Sequence, residues 1–146
     1  RPVMCVGLYD RYVKQKGDIM ELKDYFASSN GLVILSTSDN NGNVDSTVYS
    51  SPRFFEDGRI GLIMRERLSY ANVSVNPHVC LLFIEHGKGY EGKRLYLKKV
   101  DETDDKELIG SLLKRPVHGS DEGDDVIRHL VYFELIKERP LVGDGS

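Results

Sequence analysis

Apolar residues recur at helical spacing near the start of the chain. One face of this predicted helix carries Ile19, Leu22, Tyr25 and Phe26. Asp18 and Glu21 have the spacing of a capping box, in which two side chains bond the free amides of a first turn. Asn30-Gly31 is typical of a helix end. The pattern therefore predicts a first helix with Asp18 as its N-cap.

Beyond Gly31 the pattern changes to short strand-like runs joined by turn residues. Asn41-Gly42 and Asp57-Gly58 separate such runs, and these pairs are strong hairpin signals because glycine accepts the positive φ of a tight turn. The predicted strands are 32–38, 44–51, 59–64, 79–84, 94–100 and 126–136. A short helix ends at Asn76-Pro77, and a third helix follows a cap at 103–105. Six antiparallel strands with peripheral helices predict a mainly β (α+β) small barrel or a strongly curled sheet.

The chain length of 146 residues fits one domain. We expect an N-terminal arm over 1–17, the domain over 18–139 and a flexible tail over 140–146. The net charge of −3 excludes a generic nucleic-acid binder, and no apolar run is long enough for a membrane span. Cys5 and Cys80 form no CxxC pair, so we expect neither a disulfide framework nor a metal site, and a cytoplasmic location.

A glycine-rich motif follows the fourth predicted strand. Residues 87–92 read GKGYEG, which matches the G-x-G-x-x-G pattern of dinucleotide-binding proteins. In that fold the glycines open a helix whose amides hold a pyrophosphate. Here they run into residues 93–97, which alternate like a strand, so we interpret the motif as a hairpin loop.

The segment from Met64 to Ser69 has the chemistry of a phosphate site. A strand end leads two arginines, Arg65 and Arg67, and the Ser69 hydroxyl into the first turn of a short helix. Free amides at a helix N-terminus, together with a guanidinium that grips two oxygens, can bind a phosphate. The same residues also suit a solvated turn in which Ser69 is only a cap. The residues alone leave both interpretations open.

Side chains able to perform acid–base or nucleophilic catalysis are not evident. None of the four histidines has the H-E-x-x-H spacing of a metal ligand pair, and no G-x-S-x-G motif is present. For each histidine, including His129, a surface or packing role is favoured. The catalytic residues stay unknown, and an enzyme built from this sequence would take its reactive chemistry from a cofactor.

With this order of elements, the chain resembles the flavin-binding split-barrel proteins related to pyridoxamine 5′-phosphate oxidase. The resemblance covers about residues 18–100. It rests on the first helix followed by the run over 31–37, on the two hairpins, and on residues 67–79, which read RLSYANVSVNPHV. The last segment is similar to the family's run of Ser or Lys, Asn, Asn-Pro and a hydrophobic strand.

The resemblance implies a six-stranded antiparallel split β-barrel that forms a homodimer with FMN at the subunit interface. Family members lay the backbone of their second strand along the isoalloxazine ring. The positions that correspond to it here are Thr47, Val48, Tyr49 and Ser50. The positions that correspond to the family's phosphate site are Ile63, Met64, Arg65, Arg67, Leu68 and Ser69. Arg94 is similar to a position that approaches the flavin phosphate.

The sequence also departs from the family pattern in two places. Leu68 and Ser69 stand where family members often place a lysine near the phosphate. The C-terminal arginine-rich block that binds pyridoxamine phosphate is not evident, and Arg128-His129 is only a faint counterpart. We therefore expect no vitamin B6 oxidation.

The resemblance favours an FMN-binding protein, an oxidoreductase of unknown substrate with a small-molecule or NAD(P)H electron donor. The alternatives are a non-catalytic flavin carrier or electron-transfer module, and a relative that binds a deazaflavin. Haem ranks below the deazaflavin because no unambiguous haem-ligating histidine lies on the predicted cofactor face.

Overall fold

The computed structural model describes residues 17–87, 89–113 and 126–144. Within these ranges the elements are α1 over 17–28, β1 Gly31–Ser38, β2 Val44–Tyr49, β3 Arg53–Phe54, β4 Ile60–Arg65, α2 Leu68–Val75, β5 His78–Glu85, β6 Gly92–Thr103, α3 Lys106–Leu113 and β7 Arg128–Pro140. The predicted arm over 1–17 lies outside the described residues except for residue 17. Because that residue is already helical, the prediction of Asp18 as N-cap is wrong.

The strands form one antiparallel sheet in the order β2-β1-β5-β6-β7-β4-β3. The mainly β class is confirmed, with seven strands instead of six. The additional strand is β3, the two-residue first arm of the hairpin predicted at Asp57-Gly58. Two residues are too few to produce a periodic pattern, which explains why the sequence does not reveal this strand.

The sheet curls around a single interior core. Val33 and Leu35 of β1 belong to the same buried cluster as Ile60 and Leu62 of β4, although three strands separate β1 from β4 in the sheet. The cluster also takes Ile19 and Leu22 from α1, Val73 from α2, and further residues from β5, β6 and β7. A flat sheet could not bring β1 and β4 into one core, so the strands form a curled half-barrel.

The last two long strands differ from their predicted bounds: β6 is longer at both ends, and β7 begins and ends later. β6 and β7 pair along nearly their whole lengths, with register shifts between Tyr96 and Leu97 and between Lys99 and Asp101. Such bulges interrupt the alternation of apolar and polar positions from which strand ends are inferred. β7 also includes Pro140, which the sequence assigned to the flexible tail.

The three helices have different places on the half-barrel. α1 lies at the end where β5 finishes, since Tyr25 donates a hydrogen bond to Glu85. α2 lies at the opposite end, where Asn72 bonds Thr37 near the end of β1. α3 packs on the outside of β7, where Ile109 shares a second buried cluster with Leu130 and Tyr132. The predicted cap of α3 is confirmed, because the Asp105 carboxylate accepts the amides of Glu107 and Leu108.

The glycine-rich motif lies in the connection between β5 and β6, which pair as an antiparallel hairpin. No helix follows the motif, so its interpretation as a hairpin loop is confirmed. A Cβ at Gly92 would lie 2.0 Å from the carbonyl oxygen of Phe83. Close approach of two backbones, and not a nucleotide, explains this glycine.

Candidate functional site

The N-terminus of α2 carries amides that no side chain caps. Arg67 is the N-cap residue with extended backbone angles, and its side chain makes no capping hydrogen bond. The first turn of α2 contains no acidic residue that would offset the positive end of the helix dipole. Uncapped amides and an uncompensated dipole together create an electropositive position suited to an anion.

Arg67 links this helix end to β2. Burial raises the pKa of the Tyr49 hydroxyl to about 12, while the Arg67 guanidinium acts in the opposite direction and lowers it. Tyr49 is the last residue of β2, so the charge of Arg67 acts on the end of that strand. A residue of the predicted phosphate segment therefore influences a residue of the predicted ring segment.

A buried hydrogen bond fixes the orientation of α2. The Asn72 amide donates to the Thr37 hydroxyl over 2.9 Å, and both side chains are buried. Ser69 in the first turn is buried as well. A buried polar pair is costly to break, so it holds the helix end rigidly against the end of β1.

The two arginines of the turn differ from the four described cations that form ion pairs. Arg59, Lys93, Lys99 and Arg139 each form an ion pair with a carboxylate. Among the described residues, no carboxylate pairs with Arg65 or Arg67. Their guanidinium groups therefore remain available to an anionic ligand.

The other predicted site residues have separate environments. Thr47 is half-buried on the interior face of β2, whereas Val48, 63% exposed, faces outward and Ser50 follows the strand in an exposed position. The Met64 side chain is fully buried in the core, so only its backbone is available to a ligand. Ile63 packs against the cluster beneath α3, and Leu68 is exposed at the start of α2.

Arg94 lies in β6 with its guanidinium occupied. Its Nε donates to the carbonyl of Pro140 over 2.8 Å, and its Nη2 donates to the carbonyl of Gly143. The segment expected to be a flexible tail is therefore bonded to β6 as far as Gly143. The structure does not bring Arg94 together with Arg67 and Tyr49, and its role at a phosphate stays a prediction.

A polar cluster at the same end of the barrel was not anticipated. His129 stacks on Tyr70 with ring centroids 4.2 Å apart, and its Nδ1 lies 3.4 Å from a carboxylate oxygen of Glu102. The available signal was the alternation of β7, which puts His129 on the same face as Val131 and Phe133 of the core. Sequence analysis favoured a surface or packing role for His129 and did not reveal its carboxylate neighbours.

The described ranges contain neither a cluster of metal-ligating side chains nor a helix suited to a membrane. There, no group of three or more His, Cys, Asp and Glu side chains could hold a metal ion. Among the same residues, no helix has the length and apolar character that crossing a membrane requires. Cys80 is a half-buried free thiol on the outer face of β5, and burial raises its pKa.

Comparison with known proteins gives matches among solved structures only. No protein-family model matches the chain, and no curated protein matches it. An FMN-binding protein from Syntrophomonas wolfei subsp. wolfei superposes with a TM-score of 0.67 at 18% identity, over 96% of this chain and 98% of that chain.

Two further structures are similar over most of their length. A pyridoxamine 5′-phosphate oxidase-like protein from Lactobacillus delbrueckii has a TM-score of 0.56 at 16% identity, over 75% of this chain and 84% of that chain. An F420 reductase has a TM-score of 0.53 at 14% identity, over 74% and 88%. These identities are low enough that the likeness concerns the fold. The chain has the split-barrel fold shared by FMN-binding and pyridoxamine 5′-phosphate oxidase-like proteins, as its sequence predicted.

Proposed function

We propose that the protein binds FMN, with the ribityl phosphate at the N-terminus of α2, and that it is a flavin-dependent oxidoreductase. The observation that carries the proposal is the uncapped first turn of α2, with Arg67 as its N-cap residue and no carboxylate paired with Arg67 among the described residues. A phosphate there would accept hydrogen bonds from main-chain amides and an ion pair from Arg67. The missing family lysine is then replaced by Arg65, Arg67 and the helix amides.

The position of β2 supports a flavin ring beside it. β2 is an edge strand of the sheet, so one side of its backbone has no neighbour among the described strands. Free N–H and C=O groups of an edge strand can bond the polar edge of a planar heterocycle. Bound flavin would supply hydride and electron transfer, while Thr47, Val48, Tyr49 and Ser50 would hold and orient it.

We propose a homodimer with FMN at the interface, formed through the outer face of β2, β1 and β5. Val48, Ile34 and Leu82 lie directly opposite one another across these strands and point away from the core. Val44, 80% exposed, and Leu32 extend this apolar face. Exposed apolar patches of this kind mark interaction sites, and a second copy would cover this one.

The electron donor is proposed to be a small molecule or NAD(P)H, because a bound flavin accepts electrons from such donors. A deazaflavin is the second candidate cofactor, since an F420 reductase shares the fold. A carrier or electron-transfer module would bind FMN without turnover, so repeated reduction by NAD(P)H would contradict it. The cytoplasmic location stays a prediction from cysteine usage.

The proposal is tested by the absorption spectrum of the purified protein and by mass spectrometry of the small molecule that denaturation releases. Release of FMN supports the proposal, whereas release of a deazaflavin would contradict the FMN assignment. A colourless protein that also fails to bind added FMN would contradict the proposal as a whole.

Substitutions test the placement of the phosphate. Arg67→Ala and Ser69→Ala should weaken FMN binding sharply, because they remove the cation and the hydroxyl of the first turn. Arg59→Ala is the matched control: it also removes one guanidinium, but Arg59 lies before β4 and pairs with Asp57 and the Tyr132 ring. Equal loss of binding in all three variants would show that the phosphate lies elsewhere.

A further inference from the structure

His129 carries a buried nitrogen without a hydrogen-bond partner. Its side chain is 13% exposed, and Nε2 is the only buried side-chain nitrogen or oxygen among the described residues that lacks a partner. The nearest acceptor to Nε2 is Oε2 of Glu66, at 3.6 Å, beyond hydrogen-bond distance but within ion-pair distance. Unpaired buried polar groups are costly and need an explanation.

Charged and polar side chains surround His129 on the elements packed against it. Glu66 faces it from the turn between β4 and α2, Tyr70 from α2, and Glu102 with Lys99 from β6. Glu102 accepts hydrogen bonds from the Tyr70 hydroxyl at 2.6 Å and from Lys99 Nζ at 2.5 Å. Carboxylates therefore lie on two sides of the imidazole ring, with Glu102 near Nδ1 and Glu66 near Nε2.

Glu66 lies in the turn between β4 and α2, next to the arginines proposed to bind the phosphate. It stands between Arg65 and Arg67, neither of which forms an ion pair with a described carboxylate. A carboxylate released from His129 could pair with either neighbouring guanidinium and would then compete with a bound phosphate. A Glu66 side chain drawn toward β7 leaves both arginines to the ligand.

We propose that His129 is a positioning residue for the phosphate turn: its imidazolium holds the Glu66 carboxylate toward β7 and away from Arg65 and Arg67. The proposal rests on the proposed function in that the bound anion is the phosphate of FMN. Loss of the imidazolium charge frees Glu66. Binding of the phosphate then weakens as the pH rises.

The test is the FMN dissociation constant between pH 5.5 and pH 8 for the wild type, His129→Phe, Glu66→Gln and the double variant. The phosphate of FMN titrates near pH 6 itself, so each value is divided by that of Glu66→Gln at the same pH. The wild-type ratio should rise by about two- to fivefold with pH, the range expected for an exposed charge pair. His129→Phe, which keeps a ring against Tyr70 but has no N–H, should show the raised ratio at every pH.

The double variant shows whether the Glu66 carboxylate causes the weaker binding of His129→Phe. Glu66→Gln in the His129→Phe background should restore tight binding, because the competing carboxylate is gone. A wild-type ratio that does not change with pH, or a double variant as weak as His129→Phe, would overturn the proposal. If His129→Phe does not fold, the pH dependence of the ratio between the wild type and Glu66→Gln still decides the matter.

A measurement without FMN separates this proposal from the proposed function. The free energy of unfolding of the four proteins at pH 5.5 and pH 8 gives a double-mutant cycle for His129 and Glu66. Coupling at pH 5.5 that shrinks at pH 8 supports the ion pair even if no flavin binds at all. Absent coupling at both values overturns the proposal, while FMN binding by the wild type would leave the proposed function intact.

Discussion

The two ends of the half-barrel are closed by the same device. At the α1 end, Tyr25 donates a hydrogen bond to Glu85, and Lys93 Nζ lies 4.8 Å from the centre of the tyrosine ring. At the α2 end, Tyr70 donates to Glu102, and Lys99 Nζ lies 5.9 Å from the ring centre. In both places a helix tyrosine bonds a strand glutamate, and a lysine stands over the ring.

What surrounds the device differs between the ends. At the α1 end, Phe26 packs against Phe54 and Phe83 with ring centroids 5.3 and 4.7 Å apart. At the α2 end the corresponding space holds His129 with its unpartnered nitrogen, beside a helix that no side chain caps. The comparison teaches that the α1 end is sealed by apolar packing, whereas the α2 end keeps a buried nitrogen and a helix N-terminus that no described side chain hydrogen-bonds. Polar groups left without hydrogen-bond partners concentrate at functional sites.

Removing the apolar seal should give the largest effect. Phe83→Ala deletes a ring that is 2% exposed and contacts the rings of Tyr25 and Phe26. Loss of a buried aromatic side chain costs about 3–5 kcal/mol, because burial is lost and a cavity remains. Chemical denaturation should show a drop of that size in the free energy of unfolding. A loss below about 1 kcal/mol would contradict apolar sealing of the α1 end.

An intermediate effect is expected from the buried polar pair at the α2 end. Asn72→Ala leaves the Thr37 hydroxyl buried without its 2.9 Å partner. A buried group left unsatisfied costs about 1–3 kcal/mol. The double variant with Thr37→Val removes both polar groups and should recover part of the loss in the same denaturation assay. Additive losses from the two substitutions would show that the hydrogen bond does not couple α2 to β1.

The dependence of stability on alkaline pH tests the hydrogen bond between Tyr70 and Glu102 at the α2 end. The hydrogen bond to Glu102 raises the pKa of Tyr70 from 10.0 to about 12. The unfolded chain therefore loses this proton first, and stability present below pH 10 declines as the pH rises toward 12. In Tyr70→Phe the decline of the unfolding free energy over this range should be shallower. An unchanged slope would mean that Tyr70 is not bonded to Glu102 in solution.

The smallest effect is expected from the ion pair at the α1 end. Lys93 and Glu138 approach to 2.7 Å, but both side chains are partly exposed. Exposed ion pairs contribute about 0.2–1 kcal/mol and are screened by salt. Glu138→Gln should therefore lower the free energy of unfolding by less than about 1 kcal/mol, and less still in high salt. A larger loss that persists in salt would show that charge pairing, and not apolar packing, seals this end.

The sequence predicts most of this fold because its signals are local. Neighbouring residues determine the hairpins at Asn41-Gly42 and Asp57-Gly58 and the apolar face of α1. The predicted extents of β6 and β7 were wrong because the bulges in this pair depend on the partner strand. Strand ends of this kind cannot be inferred from one segment alone.

The candidate site is predictable only in part, for the same reason. Arg67 and Ser69 follow from the chemistry of one continuous turn, which local reading identifies. The relation of His129 to Glu66 and Glu102 joins three segments far apart in the chain, so no local pattern reveals it. The bonds of Arg94 to Pro140 and Gly143 depend on pairing between β6 and β7 in the same way.

The central claim is that the N-terminus of α2 holds the phosphate of a flavin, and the comparison of FMN with riboflavin tests it most directly. Riboflavin has the same ring and ribityl chain but no phosphate. Titration of the purified protein with each, followed by flavin fluorescence, should show much tighter binding of FMN, and Arg67→Ala should remove most of that difference. Equal affinity of the wild type for FMN and riboflavin, or a preference for FMN that survives Arg67→Ala unchanged, would contradict the claim.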